Sequence, residues 1–409
     1  MLHIAKPLLR HPLMPLLVIL QVALACAIAC NALFLLQQKL GPVLAPDGVR
    51  DPSHLIVLSQ IIPKGKPWPA ARLRAVQADL RVVPGVRSVT YAATFPMVGA
   101  SQMTANVFGK DPHAKVSTSV YFGNNLLDTL GLQLVAGRNF TDGEESVSYG
   151  SDMGFHTGGP VIITRALADR LFPGGRALGR IIRYSDSPGG ARTVVGVIGH
   201  LMRNKFTQDN RDLDYTMLFP GVAAQWPLSN FAMHVATPDA SQVCKPLKAV
   251  IQRDLGPRLL PGNDVQCASY ASLHADMLAQ PRAAVWLLSG VTLIVLIVTL
   301  TGIAGMTGYW VQQRTRSIGV RRALGARRSD VLRELLIENL IVVGAGVVVG
   351  LIAAYGINLW LMRHYELLRL PVTYLPVGAV LLLALGQLAV FVPARRASRI
   401  PPIVATRAL

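Results

Sequence analysis

Four long apolar blocks dominate the pattern of hydrophobic and polar positions along the chain. They cover residues 13–36, 283–308, 335–361 and 375–392. Each approaches or exceeds the roughly 20 residues that an α-helix needs to cross a bilayer. No Asp, Glu, Lys or Arg lies deep inside any block, which argues against a proton or ion pathway through the membrane. The pattern predicts four transmembrane helices.

The region between the first two blocks, residues 37–282, alternates short strand-like and helix-like segments. A strand–helix–strand order is predicted twice, at 54–58, 70–83 and 86–92, and again at 231–236, 240–255 and 265–270. An insertion at about 100–228 carries further β-like runs at 161–163, 181–183 and 194–198. We therefore predict one subdomain built from both ends of the region and a second, mixed-β subdomain inserted between them.

Basic residues flank the apolar blocks and predict the orientation of the chain. The 409 residues carry a net charge of +18 although only 15% are charged. Thirteen basic residues lie in residues 1–12, 309–334 and 393–409, so these segments are expected in the cytoplasm, with 37–282 and the 362–374 loop outside. Residues 39–282 hold 25 basic and 18 acidic residues without a dense basic run, which argues against nucleic-acid binding. The predicted fold class is an α-helical membrane protein with four transmembrane helices plus a large α+β extracytoplasmic domain of two subdomains.

Four cysteines leave alternatives open. Cys26 and Cys30 lie four apart in the first block, hence on one helix face. Packing of small residues explains them, and a lipoprotein cleavage site before either one is the alternative, although the flanking residues fit it poorly. Cys244 and Cys267 fall in the outer region, where an oxidising compartment permits a disulfide; two free thiols are the alternative.

The segment between the second and third blocks is the most distinctive part of the sequence. It reads RTRSIGVRRALGARRSDVLRELL over residues 314–336 and contains seven arginines. Arg314 and Arg321 share one helix face, and Val320 and Leu324 lie one turn apart on another. Gly325 is suited to ending the first helix, and Asp330 favours the start of the next. The segment is predicted to be a cytoplasmic docking surface; anchoring to anionic lipid headgroups is the alternative.

Several segments carry a resemblance to a known family. The stretch GLQLVAGRNFTDGEE from Gly131, together with PVIITRALADRLFPGGRALGRIIR and RTVVGVIGHL, resembles the core domain of MacB-like permeases of ABC transporters. Residues 314–350 are similar to the FtsX-like permease signature, and the tail PARRASRIPPIVATRAL resembles the end of that family. Glu338 matches a glutamate common in the family, whereas Ser317 stands where Glu is frequent. The FtsX-like region is expected over 283–409.

The resemblance implies a mechanotransmission permease of the bacterial inner membrane that binds no cofactor itself. No GxxxxGK[ST] loop occurs in the sequence, and about a dozen residues precede the first block, so we expect a separate ATPase subunit carrying ATP and Mg²⁺. Further expected partners are a second permease, either a copy or a paralogue, membrane lipids and a periplasmic adaptor. The positions assigned to ATPase coupling are Arg314, Gly319, Val320, Arg321, Arg322, Leu324, Gly325 and Ala326.

Glycine spacing predicts where helices pack. Gly346 and Gly350 form a small-xxx-small motif in the third block, and Gly302 and Gly305 belong to a comparable stripe in the second.

The expected function is export of an antimicrobial peptide or drug, and two other functions are the alternatives. Enzyme activity is not expected, because HExxH and GxSxG are absent and the histidines show no paired ligand spacing; no catalytic or metal residues are assigned. The second is FtsX-like mechanical signalling to a cell-wall hydrolase or a sensor kinase. The long outer domain favours the transport branch.

Overall fold

The computed structural model describes residues 13–98, 103–150, 155, 158–185, 190–203, 212–365, 371 and 374–397. The chain forms two compact units: residues 1–40 with 282–409, called the helical unit, and residues 41–281, called the sheet unit. Of the basic residues on which the predicted orientation depends, Lys6, Arg10, Arg399 and Arg407 lie outside the described residues.

Long helices make up the helical unit, and each contains a stretch long and apolar enough to cross a membrane. They are α1 (Leu13–Leu44), α7 (Tyr270–Ala323), α8 (Arg328–Tyr365) and α9 (Tyr374–Ala397). Each extends beyond its apolar block, because the flanking residues are good helix formers or continue into the neighbouring segment. Valines and leucines of different helices, including Val22, Val343 and Leu382, form a common core.

Short helices and many strands make up the sheet unit. The helices are α2 (Ala70–Arg81), α3 (Leu126–Leu130), α4 (Asp142–Glu145), α5 (Arg165–Leu171) and α6 (Ala240–Leu255). The strands are β1 (Leu55–Ile61), β2 (Val86–Ala92), β3 (Thr104–Phe108), β4 (Val116–Gly123), β5 (Leu134–Gly137), β6 (Ser148–Tyr149), β7 (Pro160–Thr164), β8 (Ile181–Tyr184), β9 (Ala191–Ile198), β10 (Thr216–Pro220), β11 (Val222–Ala223), β12 (Ser229–Val235) and β13 (Gln266–Ser269).

The two ends of the sheet unit come together as the sequence predicts. Antiparallel pairing places the strands in the order β2, β12, β1, β13. Helices α2 and α6 pack on this sheet through Leu73, Val76, Leu247 and Ile251, which are buried in its core. A disulfide between Cys244 of α6 and Cys267 of β13, with Cα atoms 5.8 Å apart, links helix to sheet.

The inserted strands close into a ring. Strand β4 pairs with β10, β10 with β7, β7 with β9, β9 with β8, β8 with β3, and β3 with β4. Rings from different strands of this barrel meet, with the centroids of Phe122 and Phe219 4.7 Å apart. The guanidinium of Arg192, a residue only 1% exposed, lies 3.9 Å from the Phe219 ring centroid.

The two predicted subdomains share one sheet. The barrel is joined to the sheet of β2, β12, β1 and β13, because Ala92 of β2 pairs with Gly123 of β4. Sequence patterns carry no signal for such a short pairing between segments 31 positions apart.

Candidate functional site

A tight turn separates α7 from α8 in the arginine-rich segment. Helix α7 ends at Ala323, and the Ala326 N–H donates to the Arg321 carbonyl at 3.1 Å. Gly325 has a φ of +101°, which residues with a side chain rarely adopt. This is the Schellman arrangement that ends a helix at a glycine. It lies where the sequence predicts a break.

The start of α8 is stabilised by Asp330. Its carboxylate accepts a hydrogen bond from the Arg327 N–H at 3.0 Å, just before the helix begins at Arg328. This satisfies a backbone donor that the first turn leaves without a helical partner, and it places negative charge at the positive end of the helix. We call residues 314–338, comprising the last turns of α7, the turn and the first turns of α8, the basic hairpin.

Two ion pairs tie the sides of the basic hairpin together. The guanidinium of Arg321 contacts both carboxylate oxygens of Glu334 at 2.9 and 2.7 Å. The guanidinium of Arg314 contacts both oxygens of Glu338 at 2.8 Å. Since Glu334 and Glu338 are one turn apart, they occupy the same face of α8. The Glu338 side chain is only 3% exposed, whereas that of Arg321 is 61% exposed.

These ion pairs show what the face shared by Arg314 and Arg321 contacts. Arg314 and Arg321 do share a face, but that face meets α8 and is engaged within the chain. The sequence does not reveal this pairing because it depends on how two antiparallel helices are aligned. Only the family resemblance points to Glu338.

An apolar ridge remains exposed at the end of the hairpin. Val320 is 48% exposed and Leu324 is 83% exposed, and they are one helical turn apart. Their neighbour Ile318 is 7% exposed and packs in the common core with Val331. The structure thus leaves Val320 and Leu324, called the apolar ridge, open to a partner. Gly319 is buried, Ala326 is half-buried, and the side chain of Arg322 lies outside what is described.

The predicted packing glycines divide into two groups. A Cβ on Gly350 would lie 2.5 Å from Cys26 Cβ, and one on Gly346 would lie 2.8 Å from Val22 Cβ. A Cβ on Gly302 would lie 2.4 Å from the Gln21 side chain. Among the described residues nothing lies within 4 Å of a Cβ on Gly305. The close approach of α8 also gives Cys26 a packing role.

No group of three or more His, Cys, Asp or Glu side chains in the described parts of the chain could hold a metal ion.

Two family models match the chain and together cover most of it. Residues 46–244 match the MacB-like periplasmic core domain, and residues 289–402 match the FtsX-like permease C-terminal domain. The first lies in the sheet unit, and the second contains the basic hairpin from Arg314 to Glu338.

Curated relatives of the chain include proteins named as ABC transporter permeases. The chain is 28% identical over 254 residues to the macrolide export ATP-binding/permease protein MacB of Azoarcus sp. (strain BH72), covering 60% of this chain and 37% of that protein. It is 26% identical over 256 residues to the "Uncharacterized ABC transporter permease YvrN" of Bacillus subtilis (strain 168), covering 60% of this chain and 61% of the relative. The chain therefore spans less than two thirds of the length of either.

A solved structure of one such relative is also similar. The periplasmic region of MacB from Actinobacillus actinomycetemcomitans aligns with 56% of this chain and 94% of that structure, at 13% identity and a TM-score of 0.36. The two family matches and the curated relatives identify the chain as a membrane protein of the MacB-like and FtsX-like family of ABC transporter permeases.

Proposed function

We propose that the chain is the permease subunit of an ABC exporter whose ATP-binding domain lies on a separate ATPase chain. ATP and Mg²⁺ bind to that partner, and its closure moves the sheet unit so that a bound substrate, such as an antimicrobial peptide or a drug, is expelled. The names of curated relatives, which include macrolide and pyoverdine export proteins, support export as the function.

The apolar ridge carries the proposal. An 83% exposed leucine one helical turn from a 48% exposed valine, at the end of a hairpin containing seven arginines, is suited to contact with another protein. A pair of apolar side chains fits a hydrophobic pocket on a soluble partner, whereas lipid headgroups would contact the arginines and leave the ridge in water.

The ion pairs make the basic hairpin suited to transmitting motion. Arg314 and Arg321 each bridge α7 to α8, so a displacement at the turn carries both helices with it. The buried Glu338 fixes the alignment of the two helices, since sliding them would leave its charge unpaired in an apolar setting.

Orientation follows from the charge distribution. The excess of arginine in the hairpin and the basic termini support a cytoplasmic position for all three. The sheet unit then faces the periplasm of a bacterium, and the helices cross its inner membrane. A second permease, either a copy or a paralogue, and a periplasmic adaptor complete the proposed assembly.

Copurification tests the proposal. The tagged full chain is solubilised from its native membrane in mild detergent, and the bound proteins are identified by mass spectrometry. Val320→Asp with Leu324→Asp is expected to lose a copurifying ABC ATPase. A matched control, Val82→Asp with Leu260→Asp, changes one exposed valine and one exposed leucine of the sheet unit and is expected to retain it.

The docking role is wrong if the ridge variant retains the ATPase or if the wild-type chain recovers none. If neutralising Arg327 and Arg328 alters only the binding of anionic lipids while the ridge variant behaves as wild type, the hairpin is a lipid anchor. A paralogous permease in the eluate would identify the assembly as heteromeric.

A further inference from the structure

The barrel of the sheet unit has a cleft of about 500 Å³ on its surface. It lies between the end of α5, the loop from α5 to β8, the first residues of β8 and the turn that follows β3. Its volume is within the range of roughly 300–1,000 Å³ typical of small-molecule sites. It is remote in sequence from the basic hairpin and has no part in the proposed coupling.

Positive charge is concentrated around this cleft. Among the described residues, its lining includes Lys110, Arg176, Arg180 and Arg183 and no carboxylate. All four are exposed, and over the described residues none of them is within ion-pair distance of an Asp or Glu. Four like charges around one concavity repel one another, and a bound anion would relieve that repulsion.

The backbone that presents these side chains is fixed by hydrogen bonds. The Gly179 N–H donates to the Val194 carbonyl at 2.8 Å, and the Val194 N–H donates to the Arg180 carbonyl at 2.9 Å. Arg183 lies in β8, paired with Phe108 and Ala191. Arg180 and Arg183 therefore project from backbone that is hydrogen-bonded to neighbouring strands, which lowers the entropy lost when a ligand binds.

Apolar side chains line the rest of the cleft. Leu171, Phe172, Pro173 and Ile181 contribute to its walls, and Ile181 is 44% exposed. Guanidinium groups bind phosphate through paired hydrogen bonds, and an apolar wall adds affinity for an alkyl or aromatic part of the same ligand. We propose that this basic cleft binds an organic phosphate, with the phosphate on the arginines and the apolar part against Phe172 and Ile181.

Calorimetric titration of the full chain in neutral detergent tests the site, with hexyl phosphate as the probe. We expect the wild-type chain to bind hexyl phosphate saturably and not to bind 1-hexanol. Arg176→Gln, Arg180→Gln and Arg183→Gln in combination should weaken hexyl phosphate binding at least about a hundredfold, because a charge-assisted hydrogen bond contributes roughly tenfold in affinity or more. These residues are exposed, so folding should be retained.

A control variant separates a site from general positive charge. Arg165→Gln, Arg170→Gln and Lys115→Gln remove the same charge from exposed residues of the barrel that do not line the cleft, and hexyl phosphate should bind this variant as it binds the wild-type chain. Equal weakening in the two triple variants, or no binding by the wild-type chain, overturns the proposal. Equal affinity for inorganic phosphate and hexyl phosphate also overturns it, because the apolar wall would then contribute nothing.

The same titration in lipid nanodiscs identifies the source of the phosphate. If discs containing phosphatidylglycerol reduce the apparent affinity for hexyl phosphate relative to discs of phosphatidylcholine alone, a lipid headgroup occupies the cleft. Unchanged affinity assigns the site to a soluble organic phosphate. Either result supports the site, and neither depends on the ATPase, so failure here leaves the coupling proposal untouched.

Discussion

Two carboxylates of the basic hairpin make similar contacts in different surroundings. The Glu338 side chain is 3% exposed and that of Glu334 is 39% exposed, and each accepts two hydrogen bonds from one arginine. Removing one charge of a buried pair leaves the other poorly solvated, which costs about 3–5 kcal/mol, whereas an exposed pair contributes at most about 1 kcal/mol.

We therefore predict that Glu338→Gln lowers the apparent melting temperature of the detergent-solubilised chain far more than Glu334→Gln does. Thermal unfolding of both variants, monitored by circular dichroism, measures the difference. Equal shifts would show that burial of Glu338 has no energetic consequence. Because Arg314 has 29% of its side chain exposed, the loss should fall toward the lower end of the range for buried pairs.

A carboxylate of the sheet unit, Glu144, should make stability depend on pH. It pairs with Arg138 at 2.7 Å and accepts from the Thr141 N–H in a capping box. The hydrogen bond from Arg138 is the main reason why the pKa of Glu144 falls from 4.5 to about 2. A lowered folded-state pKa gives stability that is fully present above the unfolded value of 4.5 and is lost as pH falls toward 2.

The difference in apparent melting temperature between wild type and Glu144→Gln is therefore expected to be largest near about pH 6 and to shrink steadily toward about pH 2.5. In Arg138→Gln the pKa of the Glu144 carboxyl should lie nearer its ordinary value. The melting-temperature difference between Arg138→Gln and Glu144→Gln should therefore depend less on pH than the difference between wild type and Glu144→Gln. A difference that does not change with pH would mean that Glu144 has no shifted pKa.

At the scale of elements, helix contacts predict opposite outcomes for two glycines. A Cβ on Gly350 of α8 would overlap Cys26 and the Ala23 backbone of α1, whereas the described residues leave open space around Gly305 of α7. Gly350→Val should reduce the yield of monodisperse protein in gel filtration and lower its melting temperature, and Gly305→Val should do neither. If Gly305→Val instead shifts the elution volume alone, Gly305 packs against another chain.

The disulfide between α6 and β13 gives a further prediction. Its cysteines are 23 positions apart, and closing a loop of that size stabilises a fold by about 3 kcal/mol in the chain-entropy treatment. Reductant should lower the melting temperature of the wild-type chain and leave that of Cys244→Ala with Cys267→Ala unchanged. Maleimide labelling of the denatured wild-type chain should modify two cysteines before reduction and four after it; four before reduction would exclude the bridge.

Elements defined by local patterns were predictable, and those defined by pairing were not. Gly325 followed by Ala326 marks a helix end, and the prediction places the break correctly because a glycine at C′ acts locally. The strand–helix–strand orders at both ends of the sheet unit were predictable for the same reason. Closure of the barrel depends on parallel pairs such as Thr216 with Ser119, which join segments far apart in sequence. The ion pair between Arg314 and Glu338 was not predictable either, because it depends on the alignment of α7 and α8.

The whole molecule consists of a sheet unit continuous in sequence and a helical unit assembled from two separate stretches. All strands and the disulfide of the described chain belong to residues 41–281. This unit also includes the first residues of α7, where Tyr270 is fully buried and its ring centroid lies 6.3 Å from that of Phe95. A fragment that keeps residues 270–281 therefore retains Tyr270 in the core, together with Leu273 and Met277, which pack against it.

We predict that residues 41–281 expressed alone in an oxidising compartment fold cooperatively and bind hexyl phosphate as the full chain does. A matched fragment, 41–269, ends after β13 and retains the disulfide but loses Tyr270 and Leu278, so its core has a cavity where a large buried ring stood. Loss of a buried aromatic side chain costs about 3–5 kcal/mol, and the shorter fragment should melt correspondingly lower in calorimetry. If both fragments unfold at the same temperature, the start of α7 contributes nothing to the sheet unit. If the longer one fails to fold, the sheet unit depends on the helical unit.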